Sequence, residues 1–333
     1  MSRERGRRRP RRRESGARMA AALTAVALTA SGCVVVHGER AVLPAAGRGE
    51  AAEALRQFTE AYNAADKAYD GSLDAGRTTG ALGDIDAARL KAGHVNHPQG
   101  NSSYTPLELT DAKFTVPKKA GWPRWFLADT KANKGAAARW LLVFVRHDLD
   151  EPWRVAYLTL VAPGAVPAFR KDADGWAETV PVQSAGFAVR PDELSRKYVH
   201  YLRDGGGVFA DGTHTSRWRA ERERRATRPG LVTQYIDEPV ADGDYAPLAL
   251  RTADGGALVF FTTRHYQKQT AAAGASVPTP DKGVLALTTG EIKQSLTMDT
   301  LSNEVALDPR QGADDGKVHV LGRIQGLISA QGG

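Results

Sequence analysis

The chain has 333 residues, a single cysteine and a formal net charge of +7. That excess is confined to the start. Residues 1–32 hold nine arginines against Glu4 and Glu14, and the remainder carries equal numbers of basic and acidic side chains. A formally neutral body has no general field to draw in phosphate backbones, so nucleic acid is excluded as a partner.

The arginine-rich start is followed by 18 uncharged residues, Met19 to Val36, rich in Ala, Leu and Val. A positive head, an apolar stretch and small residues before a cut make residues 1–32 a secretory signal peptide. The competing reading, an uncleaved anchor, meets only the lower length limit for a spanning helix. Ala30-Ser31-Gly32-Cys33 resembles the bacterial lipobox, in which lipid is attached to the cysteine and the chain is cut before it. The resemblance implies lipidation at Cys33 and a membrane partner reached through at least two acyl tails, enough for stable anchoring. It implies a protein at the cell membrane, on the extracytoplasmic face. With Cys33 acylated no disulfide is available, and stability must come from core burial alone.

Residues 33–50 include Pro44, Gly47 and Gly49 without periodicity and read as a flexible tether. Ala51, Leu55, Phe58, Tyr62, Ala65 and Tyr69 then fall on one helical stripe, and Gly71 marks its end. A shorter helix is predicted from Ala81 to Lys91, with Leu82, Ile85 and Ala88 inward. Strands follow at Leu107–Val116, Trp125–Ala128, Trp140–Val145 and Trp153–Val161. Trp140–Val145 is apolar on both faces, as expected of a central strand covered by a helix. Asp172-Ala-Asp-Gly175 reads as a hairpin turn. A second unit opens with Pro191, Asp192 and Glu193 leading a helix that ends near Gly205. Trp218–Arg228 is another predicted helix, stopped by Pro229-Gly230. Strands are expected at Leu231–Ile236, Tyr245–Thr252, Ala257–Gln267, Val284–Thr289 and Lys317–Ser329.

Helices first and a mostly antiparallel, curved sheet afterwards, twice over, is the pattern of an α+β protein. The expected organisation is a first α+β domain over 51–187 and a second over 188–333. On this element order, and on the strand Trp153-Arg-Val155, the halves resemble cone-shaped units of the nuclear-transport-factor-two-like kind. The second half lacks a comparable Trp-Arg-Val strand. As a whole the chain resembles uncharacterised actinobacterial lipoproteins, and that resemblance implies no activity.

Motifs for chemistry are sparse. No serine has the Gly-x-Ser-x-Gly neighbours of a hydrolase elbow. His94 and His97 are bracketed by Gly93 and Pro98 and read as loop, with no third metal ligand nearby. Asp172-x-Asp174-Gly175 starts like a calcium loop but lacks the acidic residue at its far end. Neither a metal nor a cofactor is expected. Tyr62 with Asp66, and His147 with Asp148, are the groups from which an isomerase or lyase pocket could be built; core packing and strand capping explain them as well. Arg217, Arg224, Arg225 and Arg228 fall near one face of the 217–228 helix, with Glu221 between them. They are candidates for holding an anionic wall polymer, against the alternative of a solvated, pair-laced face.

The reading that follows is a lipid-anchored, non-catalytic protein binding an envelope protein or a small ligand. A pocket enzyme and an arginine-helix adaptor are the alternatives. Cys33→Ala should abolish acylation and leave an unprocessed precursor, checked by intact-mass measurement on membrane fractions. A normally cleaved product from that variant would count against lipidation.

Overall fold

The computed structural model describes residues 41–333. The expected signal peptide, Cys33 and the expected tether up to residue 40 lie outside the described residues. Within them, Val42–Gly333 forms one compact unit.

The rest of the expected tether is folded. Leu43–Pro44 (β1) pairs antiparallel with Pro117–Lys119 (β3), and Ala45 and Ala46 are buried. Small side chains let this segment lie flat on the core, so it is held rather than free. Helix α1 (Arg48–Ala68) starts inside the expected tether, with Glu50 accepting a hydrogen bond from the Gly47 amide at 3.0 Å. It buries Ala51, Ala54, Leu55, Phe58 and Ala65. Helix α2 (Gly80–Asn96) runs further than predicted, so His94 is helical and His97 caps the helix. Gly93 allows this: a Cβ there would lie 2.3 Å from the Tyr69 ring, so only glycine lets the two helices meet at that point.

The first sheet has the order β2-β4-β5-β6, from Leu109–Thr115, Arg124–Ala132, Arg139–Arg146 and Arg154–Val161, all antiparallel. The second has the order β12-β14-β13-β11-β9-β8. Its long members are β9 (Leu231–Val240), β11 (Ala257–Ala271), β13 (Ser295–Asp308) and β14 (His319–Gly332). The pairs β8 (Thr227–Arg228) and β12 (Thr288–Thr289) lie at its edges, and β10 (Leu248–Arg251) pairs with the start of β11. The short β7 (Ala177–Glu178) pairs with β3 in a third, small sheet. Pairing is antiparallel except at β3–β7 and β12–β14, and bulges at Asp299/Thr300 and Val305/Ala306 bend the second sheet. The fold class is α+β, as the sequence pattern implies.

Alternation along the strands sets the layers. On β4 and β5, Phe126, Ala128, Leu142 and Phe144 pack against α1 through Phe58. Their neighbours Trp125, Leu127, Leu141 and Val143 face the second sheet and join Leu250, Leu258, Phe260 and Val305 in one cluster. On β11, Val259 and Phe261 turn the other way and pack under α3 (Leu194–Asp204) through Tyr198 and Leu202. The order is therefore helix, sheet, sheet, helix. The strand Trp140–Val145 has the expected helix on one face only, because its other face is covered by the second sheet. The residues on either side of the expected 187/188 boundary share a core in space.

Three further elements differ from expectation. Helix α4 (Ser216–Ala226) stops at Ala226, and Thr227–Arg228 enters the sheet. Val284–Thr289 is mostly helix α5 (Lys282–Leu287), because the Asp281 side chain accepts from the Val284 amide at 2.9 Å and caps it. Strand β13 was not expected at all, because its polar and charged residues (Asp299, Ser302, Asn303, Glu304, Asp308) mask its alternation; all five are buried.

Phe260 is fully buried at the contact between the sheets, 6.0 Å from the Tyr157 ring. Phe260→Ala should cost about 3–5 kcal/mol of stability. Because the core is common, both halves should still unfold in one transition, read by urea denaturation with tryptophan fluorescence and far-UV circular dichroism. Two separated transitions in the wild-type protein would contradict the shared core.

Candidate functional site

Helix α2 presents Leu82, Ile85, Arg89, Ala92 and Asn96 at helical spacing along one side of a cleft. The opposite wall is Val284 and Leu287 of α5 with Ile324 to Leu327 of β14. Gly326 lets β14 come this close, since a Cβ there would lie 2.3 Å from Ile85 Cγ2. The cleft encloses about 680 Å³. At its polar end Arg89 donates to Asp66 at 2.5 Å and to Asp86 at 2.7 Å, and its guanidinium lies 5.3 Å from the Tyr62 ring centroid. Burial pushes the Tyr62 hydroxyl up to about 12, so it stays protonated. Tyr62 and Asp66 do converge here, with Arg89 and Asp86 added by the fold. Asp74 is buried near this group, and its carboxyl is pushed up to about 8, first by burial and then by Asp86.

A smaller pocket of about 270 Å³ shares Val284 and Gln325 to Leu327 with the cleft. It lies between α4 and the second sheet, lined by Trp218, Arg222, Tyr235 and His265. Behind it runs a chain of buried polar groups. Arg222 Nη2 donates to Asp237 Oδ1 at 2.6 Å, and His265 Nδ1 lies 2.7 Å from the same oxygen. His265 Nε2 is 2.9 Å from Thr263 Oγ1, which is 2.8 Å from Glu304 Oε1. Asp237 can only accept, so His265 Nδ1 carries a proton. Thr263 has one hydrogen to give. If it points to a neutral His265, Glu304 must be protonated to donate to Thr263. If it points to Glu304, His265 must carry a second proton. With this chain of hydrogen bonds complete, His265 and Glu304 share one further proton and sum to zero charge. Burial lowers the His265 pKa and raises the Glu304 carboxyl to about 7, which favours the neutral pair. Burial alone would raise the Asp237 carboxyl, but the hydrogen bonds from His265 and Arg222 outweigh it and hold it below the ordinary range.

The residues singled out from sequence are placed as follows. Arg217, Arg224, Arg225 and Arg228 are exposed on or just beyond α4. Arg224 and Arg225 both pair with Glu221, the pair-laced arrangement expected of a solvated face. The inward arginine is Arg222, only 5% exposed. Its signal was available in the sequence: Trp218 stands one turn earlier and marks the inner face. His147 lies 3.0 Å from Asp244 and lines neither cavity. The calcium-like turn is neutralised by Lys118, whose ammonium sits 2.7 Å from Asp172 and 2.6 Å from Asp174. Among the described residues no group of three or more His, Cys, Asp or Glu is placed to hold a metal, and no helix is long and apolar enough to cross a membrane.

Residues 42–332 match a family described as a domain of unknown function (DUF8094), and the chain belongs to it. An uncharacterised lipoprotein of Streptomyces coelicolor is 70% identical over 332 residues, covering 100% of both chains. An uncharacterised lipoprotein of Streptomyces avermitilis is 56% identical over 332 residues, again covering 100% of both. A second S. coelicolor lipoprotein is 26% identical over 209 residues, 61% of this chain and 59% of that one. No solved structure matches the chain.

Asp74 generates a pH prediction. Its folded-state pKa lies above the unfolded value of about 3.9, so the folded state holds a proton that the unfolded state gives up. That contribution to stability is complete below about pH 4 and is lost as pH rises through about 8. Asp74→Asn should flatten the fall in stability over this window, measured as urea midpoints at steps of pH.

Proposed function

Taking membership of this lipoprotein family as the premise, we propose that the protein is a lipid-anchored, extracytoplasmic, non-catalytic carrier or receptor for a small ligand at the cell envelope. The observation that carries the reading is the cleft of about 680 Å³ between α2 and β14, lined mainly by apolar side chains, with Tyr62, Asp86 and Arg89 towards one end and Asn96, His97 and Lys282 towards the other. Cavities of this size and lining are the usual sites for small molecules. Attachment at Cys33 is supported by the lipobox-like tetrapeptide and by relatives named as lipoproteins over their whole length.

Binding without chemistry is supported by how the polar groups are spent. Arg89 is engaged by two aspartates, Tyr62 stays protonated, and both ring nitrogens of His265 are held by protein side chains. A general base needs a free lone pair within reach of the substrate; Arg89, Tyr62 and His265 offer none, and Asp86, whose Oδ2 has no partner, is held as the counter-ion of Arg89. Adaptor binding through the exposed arginines of α4 gains less support, since Arg224 and Arg225 are already paired with Glu221.

Leu327 lines both cavities, is part-buried and packs on Ala88, Ala92 and Leu287, so Leu327→Trp fills the cleft from its wall. Native mass spectrometry of the full-length protein isolated from its own membranes should reveal a bound small molecule released on unfolding. The variant should carry it at one tenth of the occupancy or less. Equal occupancy in the two proteins, or no bound mass in either, would overturn the reading.

A further inference from the structure

The pocket under α4 has a charge and hydrogen-bond imbalance that the protein itself does not settle. Around it stand two guanidiniums, Arg222 and Arg323, with Arg323 lying 4.0 Å from the Trp218 ring centroid and donating to Gln325 at 2.9 Å. Against them stand Asp237, Glu304 and His265. Glu304 and His265 share one proton and cancel, whichever of them holds it. Two guanidiniums against one carboxylate leave a surplus of one positive charge, with Arg222 buried and Arg323 part-buried. The acidic residues of α4 do not offset it, because Glu221 is taken by Arg224 and Arg225 and Glu223 by Arg219.

The donors are unbalanced in the same sense. Arg222 uses Nη2 on Asp237, while its Nη1 is buried without a hydrogen-bond partner, on a side chain only 6% exposed. The indole Nε1 of Trp218, one turn away on the same face of α4, is also buried and unpartnered. Both residues line the pocket. Leaving such donors unmatched costs about 1–3 kcal/mol each, and more for a charged group. An acceptor carrying negative charge removes both deficits at once, and a guanidinium edge suits a carboxylate in particular.

We propose that the pocket under α4 is a carboxylate site, in which an organic acid docks its carboxylate on Arg222 Nη1 and Trp218 Nε1. The pocket volume of about 270 Å³ admits a small acid entirely. Because it meets the larger cleft at Val284 and Gln325 to Leu327, an acid with a longer apolar body extends past Gly326 between α2 and α5. This rests on the cleft being a ligand site and names the chemical class it takes. The four exposed arginines of the helix have no part in it.

The test uses sodium benzoate and benzyl alcohol, which share a ring and differ in charge, on 15N-labelled full-length protein in nanodiscs. Trp218→Phe assigns the Trp218 indole resonance by its disappearance. Benzoate should shift that resonance saturably and benzyl alcohol should not. By calorimetry, Trp218→Phe should bind benzoate roughly tenfold more weakly, as expected for one lost hydrogen bond to a charged group. Arg222→Gln should weaken it further; should that variant fail to fold for lack of the Asp237 partner, Trp218→Phe carries the test alone. A resonance indifferent to benzoate, or moved equally by benzyl alcohol, overturns the carboxylate site. If membrane-isolated protein nevertheless carries a small molecule, the cleft reading survives that failure.

Discussion

Two sheets pressed face to face determine most of what else this protein can do. The strands β4, β5 and β11 are apolar on both sides, so each sheet must be covered twice, once by a helix and once by its counterpart. Phe260, Tyr157 and Trp125 occupy the shared layer and are fully or almost fully buried. Both helix-facing cores are filled by side chains, and a large open space remains to the side. There α2 meets α5 and β14, and there the cleft lies. Two glycines of β14 allow close approaches, Gly322 to β6 and Gly326 to α2. A Cβ on Gly322 would lie 2.5 Å from the Leu160 carbonyl oxygen, and one on Gly326 would collide with Ile85.

The second sheet changes character along its length. On the face of β11 beneath the helices, Phe261 belongs to the apolar core, while Thr263 and His265 open a polar chain ending at Asp237 and Glu304. Buried charges are retained at a cost, and structural stability alone is a weak reason for keeping them. Here they hold Arg222 in a fixed position under α4 with one of its two terminal nitrogens uncommitted. A guanidinium locked on one side and free on the other is the feature on which the proposed carboxylate site rests. The same feature explains why the helix misleads as a sequence pattern: its most conspicuous arginines are exposed and partly paired, and its least conspicuous one faces the pocket.

Elements with an apolar stripe or a capping signal were legible. Leu55, Phe58 and Tyr62 marked α1, Leu194, Tyr198 and Leu202 marked α3, and Trp140–Val145 was recognisable as a central strand. What failed were elements whose identity depends on distant partners. Strand β13 reads as polar because Asp299 needs Arg264 and Glu304 needs Thr263 before they can be buried. Residues 284–287 read as a strand from their apolar run, and a single capping aspartate turned them into helix. Residues 43–46 read as tether because nothing local indicates that β3 lies in wait for them. The cleft had half a signature, in Tyr62 and Asp66; its other half comes from Arg89 on the next helix.

From the chain alone came the arginine leader, the one acylable thiol behind it, the electrically even body and the α+β class. All of these are local or additive properties, fixed by composition, spacing and alternation. The stacking of the two sheets, the closeness of Ile85 to Gly326 and the proton shared by His265 and Glu304 arise only when residues far apart in sequence become neighbours. Burial then assigns each group its charge and its partners. That is why the tertiary structure, and not the pattern of arginines, decided where the proposed ligand site lies.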